Sequence, residues 1–328
     1  MISTQRWRVV RLPAAAAGFA GDVRAGLLAT PRRLPAKYLY DALGSLLFDA
    51  ITALPEYYLT RAEREILACE GAAIVAAAGA PDELVELGGG SGEKTELLVR
   101  PALAAATALR LHALDIAEEA LEAAAGRLLE RHPALTVYGY AGDYDAGLRA
   151  VQLEGRRALM LFLGSNIGNL EHAEACALLR RMRAVLRCGD ALLLGTDLRK
   201  SPAVIEAAYD DALGVTAAFE RNILVRINRE LGGTFDLARF RHVASYDPGS
   251  GCVASYLVCL RSQDVHIAEL GLDLRIHAGE TIHTESSYKY SEAEIDAMAA
   301  AGGFELAGRW YDRGHLFALS LLRAAGVP

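Results

Sequence analysis

Helical segments alternate with short apolar segments from about residue 60 to residue 197. The apolar segments are DELVELGG, LRLHALDI, LTVYGYAGDY, RALMLFLG and GDALLLGTDL. Segments of this kind, apolar along their whole length, are typical of parallel strands covered by helices on both faces. The alternation therefore predicts an α/β domain with a mainly parallel sheet. Its first helix is predicted to begin at Thr60, with Glu63 at the capping-box position.

The alternation stops after about residue 198. Helical segments fill residues 200–230, and VASYLVCL, VHIAEL, LDLRIHAGE and TIHTESSYKY then resemble antiparallel strands with tight turns. A last helix, SEAEIDAMAAAG, precedes two further strands. We therefore predict one domain from residues 60–197 plus 289–328. Residues 1–59 plus 198–288 are predicted to form a second, α+β domain inserted into the first.

Composition excludes several classes of partner. The chain has 328 residues and a formal net charge of −7, so it offers no concentrated basic surface for nucleic acid. Five scattered cysteines without a CxxC pair predict a reducing cytoplasm and no thiolate metal site. Arg8, Arg11 and Pro13 interrupt the N-terminal apolar stretch, so neither export nor a membrane span is expected. No histidine spacing predicts a metal.

The stretch ELGGGSGEKT, residues 86–95, follows the first predicted strand. It fails the phosphate-binding pattern of NTPases and the dinucleotide pattern, because Glu93 stands where each requires glycine. Its glycines, Gly88, Gly90 and Gly92, leave the backbone open to the amino-acid tail of S-adenosylmethionine. Lys94 and Glu93 place charges of both signs beside that tail.

Carboxylates end three predicted strands of the sheet: Glu86, Asp115 and Asp143. Ligands of open parallel sheets bind beyond the carboxyl ends of the strands. Asp115 suits the two ribose hydroxyls of a nucleoside, and Asp143 suits the adenine amino group. Each aspartate alone could instead cap a helix. Together with the glycines they predict S-adenosylmethionine as the cofactor.

Several long motifs together resemble one enzyme family. They are PAKYLYDALGSLLFDAITALPEYYLTRAEREIL, ELGGGSGEKT, LFLGSNIGNL, AAYDDALGVTAAFERNILVRINREL and TIHTESSYKY. From about residue 30 onward the chain is similar to the histidine Nα-methyltransferases of ergothioneine biosynthesis. The resemblance implies a Rossmann-like class I methyltransferase sheet with an inserted substrate-binding domain. It also implies a monomer that transfers three methyl groups from S-adenosylmethionine to the α-amino group of L-histidine, giving hercynine.

The resemblance also implies roles for individual residues. The cofactor contacts would be Tyr40, Glu86, Gly88, Gly90, Lys94, Asp115, Asp143 and Tyr144. Tyr57, Asn169 and Tyr209 would hold the amino-acid backbone of the substrate, with Tyr40 and Asn169 helping to position the acceptor. Glu285 and Ser287 would hydrogen-bond the imidazole, since a carboxylate and a hydroxyl can bind both of its nitrogens. No catalytic nucleophile is implied.

Two residues depart from the family pattern near the inferred acceptor site. Ser255 stands where the family usually has Met, and Asn166 where it usually has Thr. The smaller, polar Ser255 predicts a larger or wetter side-chain pocket, so tryptophan or tyrosine stays open as the acceptor. A nicotinamide-dependent oxidoreductase and a non-catalytic ligand sensor are the alternatives from other classes.

Overall fold

A computed structural model describes residues 6–13 and 18–326, and the chain divides into two compact units. The first unit contains the N-terminal strand together with residues 59–198 and 290–326. The second contains residues 18–58 and 199–289. The remaining parts of the predicted second domain and of the N-terminal apolar stretch, residues 1–5 and 14–17, lie outside the described residues.

The helices and strands are numbered here along the chain. The helices are α1 (Gly18–Leu28), α2 (Ala42–Thr52), α3 (Leu59–Ala77), α4 (Glu93–Ala105), α5 (Glu118–Arg131), α6 (Tyr144–Ala150), α7 (His172–Val185), α8 (Pro202–Tyr209), α9 (Val215–Leu231) and α10 (Glu292–Ala301). The strands are β1 (Trp7–Arg11), β2 (Arg32–Arg33), β3 (Glu83–Leu87), β4 (Leu109–Asp115), β5 (Leu135–Ala141), β6 (Ala158–Phe162), β7 (Ala191–Asp197), β8 (Phe240–Asp247), β9 (Cys252–Cys259), β10 (Gln263–Ile267), β11 (Leu272–Ile276), β12 (Thr281–Tyr288), β13 (Phe304–Tyr311) and β14 (Phe317–Ala324).

The first unit is built on an eight-stranded sheet with the order β1-β5-β4-β3-β6-β7-β14-β13. Strands β1 and β3 to β7 run parallel to one another, and β14 and β13 are antiparallel. Strands β3, β6 and β7 are buried along their whole length, as their continuous apolar sequences predict. The predicted α/β sheet is confirmed. Strand order reverses between β3 and β6, so their carboxyl ends flank the crevice where such sheets bind ligands.

One predicted domain boundary is wrong at the N-terminus. Residues 1–59 were assigned to the second domain, but β1 pairs in parallel with β5 at the edge of the first unit's sheet. The Trp7 ring covers Gly139 on β5, where an added Cβ would lie 2.6 Å from the ring. Glycine at this position gives the indole room to lie against the strand. The other breaks between units, after residues 58, 198 and 289, lie within one residue of the predicted positions.

The second unit contains two small sheets. One has the order β2-β12-β9-β8, and the other is the β10-β11 hairpin. Strand β12 carries a bulge between His283 and Glu285. Because a bulge breaks the alternation of side chains, both Thr284 and Glu285 are buried. Helix α9 packs against β8 and β9, and its residue Asn222 bonds Asp41 at the start of α2.

None of the helices in the described residues is long and apolar enough to cross a membrane.

Candidate functional site

The glycine loop joins β3 to α4 at the strand-order reversal of the first unit. Gly88, Gly90 and Gly92 all have positive φ, at 70°, 52° and 71°. A Cβ on Gly88 would lie 2.6 Å from the Tyr144 hydroxyl and 3.2 Å from Nδ2 of Asn166, whereas one on Gly90 would meet no atom within 4 Å. Gly88 is therefore required for close packing, while Gly90 leaves open backbone for a ligand.

Glu86 is buried at the end of β3 and accepts a hydrogen bond from the Thr95 hydroxyl. Burial raises the pKa of this carboxyl to about 7, and Thr95 and Lys94 offset part of the increase. The nearby carboxylates of Asp115 and Glu63 raise it further. Close carboxylates in a low-dielectric site are suited to an ammonium group or to paired hydroxyls.

Lys94 donates a hydrogen bond to the buried Glu63, with 2.6 Å between Nζ and Oε2. The backbone N–H of Gly164, which follows β6, also donates to the Glu63 carboxylate, at 2.8 Å. The predicted capping-box role of Glu63 is therefore wrong: its spacing from Thr60 is correct, but more distant donors take its oxygens. Glu63 therefore connects, through hydrogen bonds, the start of α4 and the loop after β6.

Asp115 and Asp143 both bond the backbone of the turns that follow their strands. Asp115 accepts from the N–H of Ala117 at 3.0 Å, and Asp143 caps α6 by accepting from Ala146 at 2.7 Å. Burial raises the pKa of Asp115, and the N–H groups of Ala117 and Gly90 offset part of that increase. Asp143 therefore caps α6. The contacts of Asp115 with the ribose and of Asp143 with the adenine stay predictions.

Tyr144 lies directly after Asp143, with its hydroxyl beside Gly88 and its ring 5.7 Å from that of Phe162. Burial raises its pKa above the ordinary value, and the charges of Asp115 and Glu86 raise it further. The hydroxyl of Tyr144 therefore stays protonated at neutral pH and can act as a donor close to the glycine loop.

The loop after β6 carries local strain. Ser165 is buried with φ of 58°, a left-handed conformation uncommon outside glycine, and its hydroxyl accepts from the N–H of Asp197. The 3₁₀ helix Asn166–Asn169 follows at once. Asn169 thus lies in the first unit, on the loop whose Asn166 faces Gly88.

The second unit gathers the predicted aromatic residues. The centroid of the Tyr40 ring lies 5.4 Å from that of Phe48 and 5.2 Å from that of Phe219. The centroid of the Tyr57 ring lies 6.0 Å from that of Phe48 and 6.3 Å from that of Tyr209. Tyr57 and Tyr209 are buried, but Tyr40 is 36% exposed. Tyr40 lies in the second unit, so its predicted role as a cofactor contact stays a prediction.

Tyr40 has a pKa raised well above its ordinary value, first by burial and then by the charge of Glu285. Tyr57, Glu220 and Tyr209 add to the same effect. Tyr40 and Glu285 therefore belong to one cluster of titratable side chains within the second unit.

A buried lysine joins two of the predicted substrate residues. Lys289 donates to the Tyr209 hydroxyl at 2.6 Å and to the Ser287 hydroxyl at 2.8 Å, while those two hydroxyls lie 2.8 Å apart. Sequence reasoning missed Lys289. Its signal was the two-residue period of a strand, which places Glu285, Ser287 and Lys289 on one face.

Ser255 and Glu285 are direct neighbours on the paired strands β9 and β12. Both are buried, and burial raises the pKa of Glu285 to about 7 while Lys289 lowers it in part. Side chains at opposed positions of an antiparallel pair lie on the same face, so Ser255 and Glu285 share one surface. Ser255 thus makes this surface polar.

Glu220 on α9 is a second buried carboxyl group that sequence reasoning missed. It is fully buried, and burial together with the charge of Glu285 raises its pKa to about 8. Its signal was helical spacing, because Thr216, Ile223, Leu224 and Ile227 occupy the same buried face.

The described residues contain no group of histidine, cysteine and carboxylate side chains arranged to hold a metal ion. The site in each unit is instead built from carboxylates, hydroxyls and open backbone.

Comparison with known proteins identifies the family. The model of histidine-specific, S-adenosylmethionine-dependent methyltransferases matches residues 19–324. The chain belongs to that family. Histidine N-alpha-methyltransferase of Mycolicibacterium smegmatis is 43% identical over 92% of this chain and 93% of its own length. L-tryptophan methyltransferase trpM of Psilocybe serbica is 32% identical over 92% of both chains. Ergothioneine biosynthesis protein 1 of Neurospora crassa is 32% identical over 89% of this chain but only 33% of its own length.

Membership of this methyltransferase family agrees with the shape of the glycine loop. The cofactor S-adenosylmethionine brings a sulfonium-bound methyl group and an amino-acid tail. Such a molecule fits the open backbone at Gly90 and the carboxylates of Glu86 and Asp115 better than a phosphate does, because a phosphate would be repelled by the carboxylates. The positive charge of Lys94 is already paired with Glu63.

Proposed function

We propose that this chain methylates the α-amino group of L-histidine, up to the trimethyl betaine hercynine, as an enzyme of ergothioneine biosynthesis. The observation that carries the proposal is the family match over residues 19–324, together with 43% identity to a histidine N-alpha-methyltransferase over nearly its full length. The buried polar side chains of Ser255 and Glu285, with Tyr40 in the same cluster, support the choice of substrate.

The acceptor side-chain surface is polar. Ser255, Thr284 and Glu285 are all buried side chains of β9 and β12, and Glu220 approaches them from α9. An imidazole can donate an N–H to a buried carboxylate and accept a hydrogen bond at its second nitrogen. An indole donates one N–H and accepts no hydrogen bond, so it leaves part of this polar surface unsatisfied, which is costly in a buried site. The surface therefore favours histidine over tryptophan.

The proposed methyl transfer needs an amine and no nucleophilic side chain. The lone pair of the α-amino nitrogen forms the new C–N bond, and the electrons of the breaking C–S bond return to sulfur. Desolvation in a binding site disfavours the charged ammonium, so binding favours the neutral amine that reacts. Tyr57, Tyr209 and Asn169 would hold the zwitterion, and catalysis would come mainly from alignment.

We also propose that the chain acts as a monomer in the cytoplasm, on a small-molecule amino acid. All five cysteines have free thiols, as a reducing compartment favours. A molar mass in solution near that of one 35.1 kDa chain is the expected result of light scattering, and a mass near twice that value would overturn the monomer.

The test of the proposed reaction is incubation of the purified protein with S-adenosylmethionine and each common amino acid in turn, followed by mass spectrometry. Histidine gaining one, two and then three methyl groups is the expected result. Methylation of tryptophan or tyrosine in place of histidine would move the assignment to the other acceptor class. No methylated amino acid at all would overturn the proposed activity.

A further inference from the structure

Lys289 forms one corner of a buried triangle of hydrogen bonds in the second unit. It is 1% exposed, and its Nζ lies 2.6 Å from the hydroxyl oxygen of Tyr209 and 2.8 Å from that of Ser287. The two hydroxyl oxygens lie 2.8 Å from each other, and both side chains are buried. Since little water reaches these groups, each donor and acceptor among them needs a partner.

The direction of each hydrogen bond in this triangle follows from the chemistry of its members. A lysine ammonium has three N–H donors and no acceptor, so both hydroxyl oxygens accept from Lys289. Between the two hydroxyls, Tyr209 is the better donor, because a phenolic O–H is more acidic than an aliphatic one. Ser287 therefore accepts from both Lys289 and Tyr209.

The Ser287 hydroxyl is thereby fixed as a donor. A serine oxygen has two acceptor lone pairs, and the two contacts of the triangle occupy both of them. Within the residues that the structure describes, the Ser287 side chain makes no other hydrogen bond. Its own proton therefore points out of the triangle, toward a group that can accept it.

Ser287 and Glu285 lie on the same face of β12. They are two residues apart, and they pair with Val253 and Ser255 of β9 without a break in register. About 7 Å therefore separates their positions along the strand. Two hydrogen bonds of about 2.8 Å each, with one five-membered ring between them, fill roughly this distance. A ring that lies between the two side chains can donate to the Glu285 carboxylate and accept from Ser287.

We propose that Lys289 is a positioning residue that fixes Ser287 as a donor to the unprotonated nitrogen of a neutral imidazole, while Glu285 accepts the imidazole N–H. This inference rests on the proposed function. The effect of Lys289 on the substrate passes through the hydroxyl of Ser287. The triangle selects a ring with one N–H and one lone pair, and it disfavours an imidazolium, which has two N–H donors and no lone pair.

Removal of the ammonium should release this constraint. In Lys289→Met the two hydroxyl oxygens lose their common donor, but a side chain of similar length still fills the space. Ser287 can then donate its proton to Tyr209 and needs no acceptor from the ligand. The preference for a ring with a lone pair should therefore fall.

The experiment is calorimetric titration into the protein saturated with S-adenosylhomocysteine near pH 8, where free imidazole is neutral. The ligands are L-histidine and its pyrrol-2-yl and pyrrol-3-yl analogues, each of which keeps a ring N–H and lacks the acceptor nitrogen. The wild type should bind histidine about tenfold or more tightly than either analogue, because the Ser287 proton otherwise loses its acceptor.

Lys289→Met and Ser287→Ala should both reduce this preference to about threefold or less, because neither variant keeps a fixed donor. Lys37→Met, the same exchange at an exposed lysine of the second unit, is the matched control and should keep the full preference. A lysine with a purely structural role would weaken all the ligands equally and leave the preference intact.

An unchanged preference in Lys289→Met or in Ser287→Ala overturns the inference, and so does a wild type that binds a pyrrole analogue as tightly as histidine. Because Ser287→Ala removes only a hydroxyl, it decides the donor role even if Lys289→Met folds poorly. Failure of the proposed function would show separately, as wild-type protein that neither binds nor methylates histidine.

Discussion

Gly88 combines two demands that only glycine meets at the carboxyl end of β3. Its φ is 70°, and the place of a Cβ is already taken by the hydroxyl of Tyr144 and the amide of Asn166. These groups lie beside Glu86 and Asp115, whose carboxyl groups both have raised pKa values because they are buried. A single added Cβ at Gly88 would therefore disturb the loop that is predicted to hold the ligand.

Gly88→Ala should weaken binding of S-adenosylhomocysteine by about tenfold or more, because the added Cβ displaces Tyr144 and strains the loop. Isothermal titration calorimetry measures the change. Gly271→Ala is the matched control: Gly271 also has positive φ, lies in the second unit and has open space at its Cβ position. Equal affinities in the Gly88 and Gly271 variants would contradict the role given to the loop.

Buried carboxyl groups also make stability depend on pH. Glu86 has a pKa near 7 in the folded protein and an ordinary value near 4.5 when unfolded. The folded state then binds more protons between these values, so stability falls as pH rises through the folded pKa. The loss from Glu86 alone is at most about 3 kcal/mol.

Glu86→Gln should therefore flatten the decline in melting temperature between about pH 4.5 and pH 7 in protein without ligand. Differential scanning fluorimetry across this range measures it. Glu93→Gln, an exchange at an exposed position of the same loop region, is the control and should retain the wild-type decline. A Glu86→Gln protein whose melting temperature falls as steeply as that of the wild type would show that Glu86 is ionised when folded.

At the scale of elements, the Glu63–Lys94 ion pair and its neighbouring hydrogen bond connect three segments of the first unit: α3, α4 and the loop after β6. Glu63 on α3 accepts from Lys94 on α4 and from the backbone after β6. Glu63 is fully buried, whereas the side chain of Lys94 is 27% exposed. Removing the lysine leaves a buried charge with one remaining backbone donor, which costs more than removing both partners.

Lys94→Met should lower the free energy of unfolding by about 1–3 kcal/mol, less than a fully buried pair would lose because Lys94 is partly hydrated. The double variant Lys94→Met with Glu63→Gln should recover part of this loss. Urea unfolding of the two single variants and the double variant measures the coupling. Strictly additive losses would mean that the two side chains do not interact.

Helices and strands could be predicted where a local sequence pattern determines them. The roles of single residues could not be predicted where contacts with distant parts of the chain determine those roles. Strands β3 to β7 are continuous apolar runs, so the sequence predicts them and their parallel sheet. Strand β1 was missed because its five residues, WRVVR, become a strand only by pairing with the distant β5. Glu63 has capping-box spacing, yet Lys94 and Gly164 determine its role. Glu220 was missed because Glu285, its main neighbour, lies far along the chain.

At the scale of the whole molecule, the chain carries a glycine loop in one compact unit and a cluster of buried polar side chains around Glu285 in the other. Belonging to the family of histidine-specific methyltransferases gives these two features a single purpose, which is transfer of a methyl group to an amino acid. Ser255, a predicted departure from the family pattern, is buried beside Glu285, so the side chains around Glu285 are polar. The central claim is thus that histidine is the acceptor and its α-amino nitrogen the reacting atom.

The most direct measurement uses S-adenosylmethionine labelled with ¹³C in its methyl group. The purified protein is incubated with L-histidine, and the product is followed by NMR. We expect labelled methyl groups on the α-nitrogen, ending in one trimethylammonium signal. Label on a ring nitrogen of the imidazole, or unchanged histidine beside methylated tryptophan in a mixed reaction, would contradict histidine Nα-methylation.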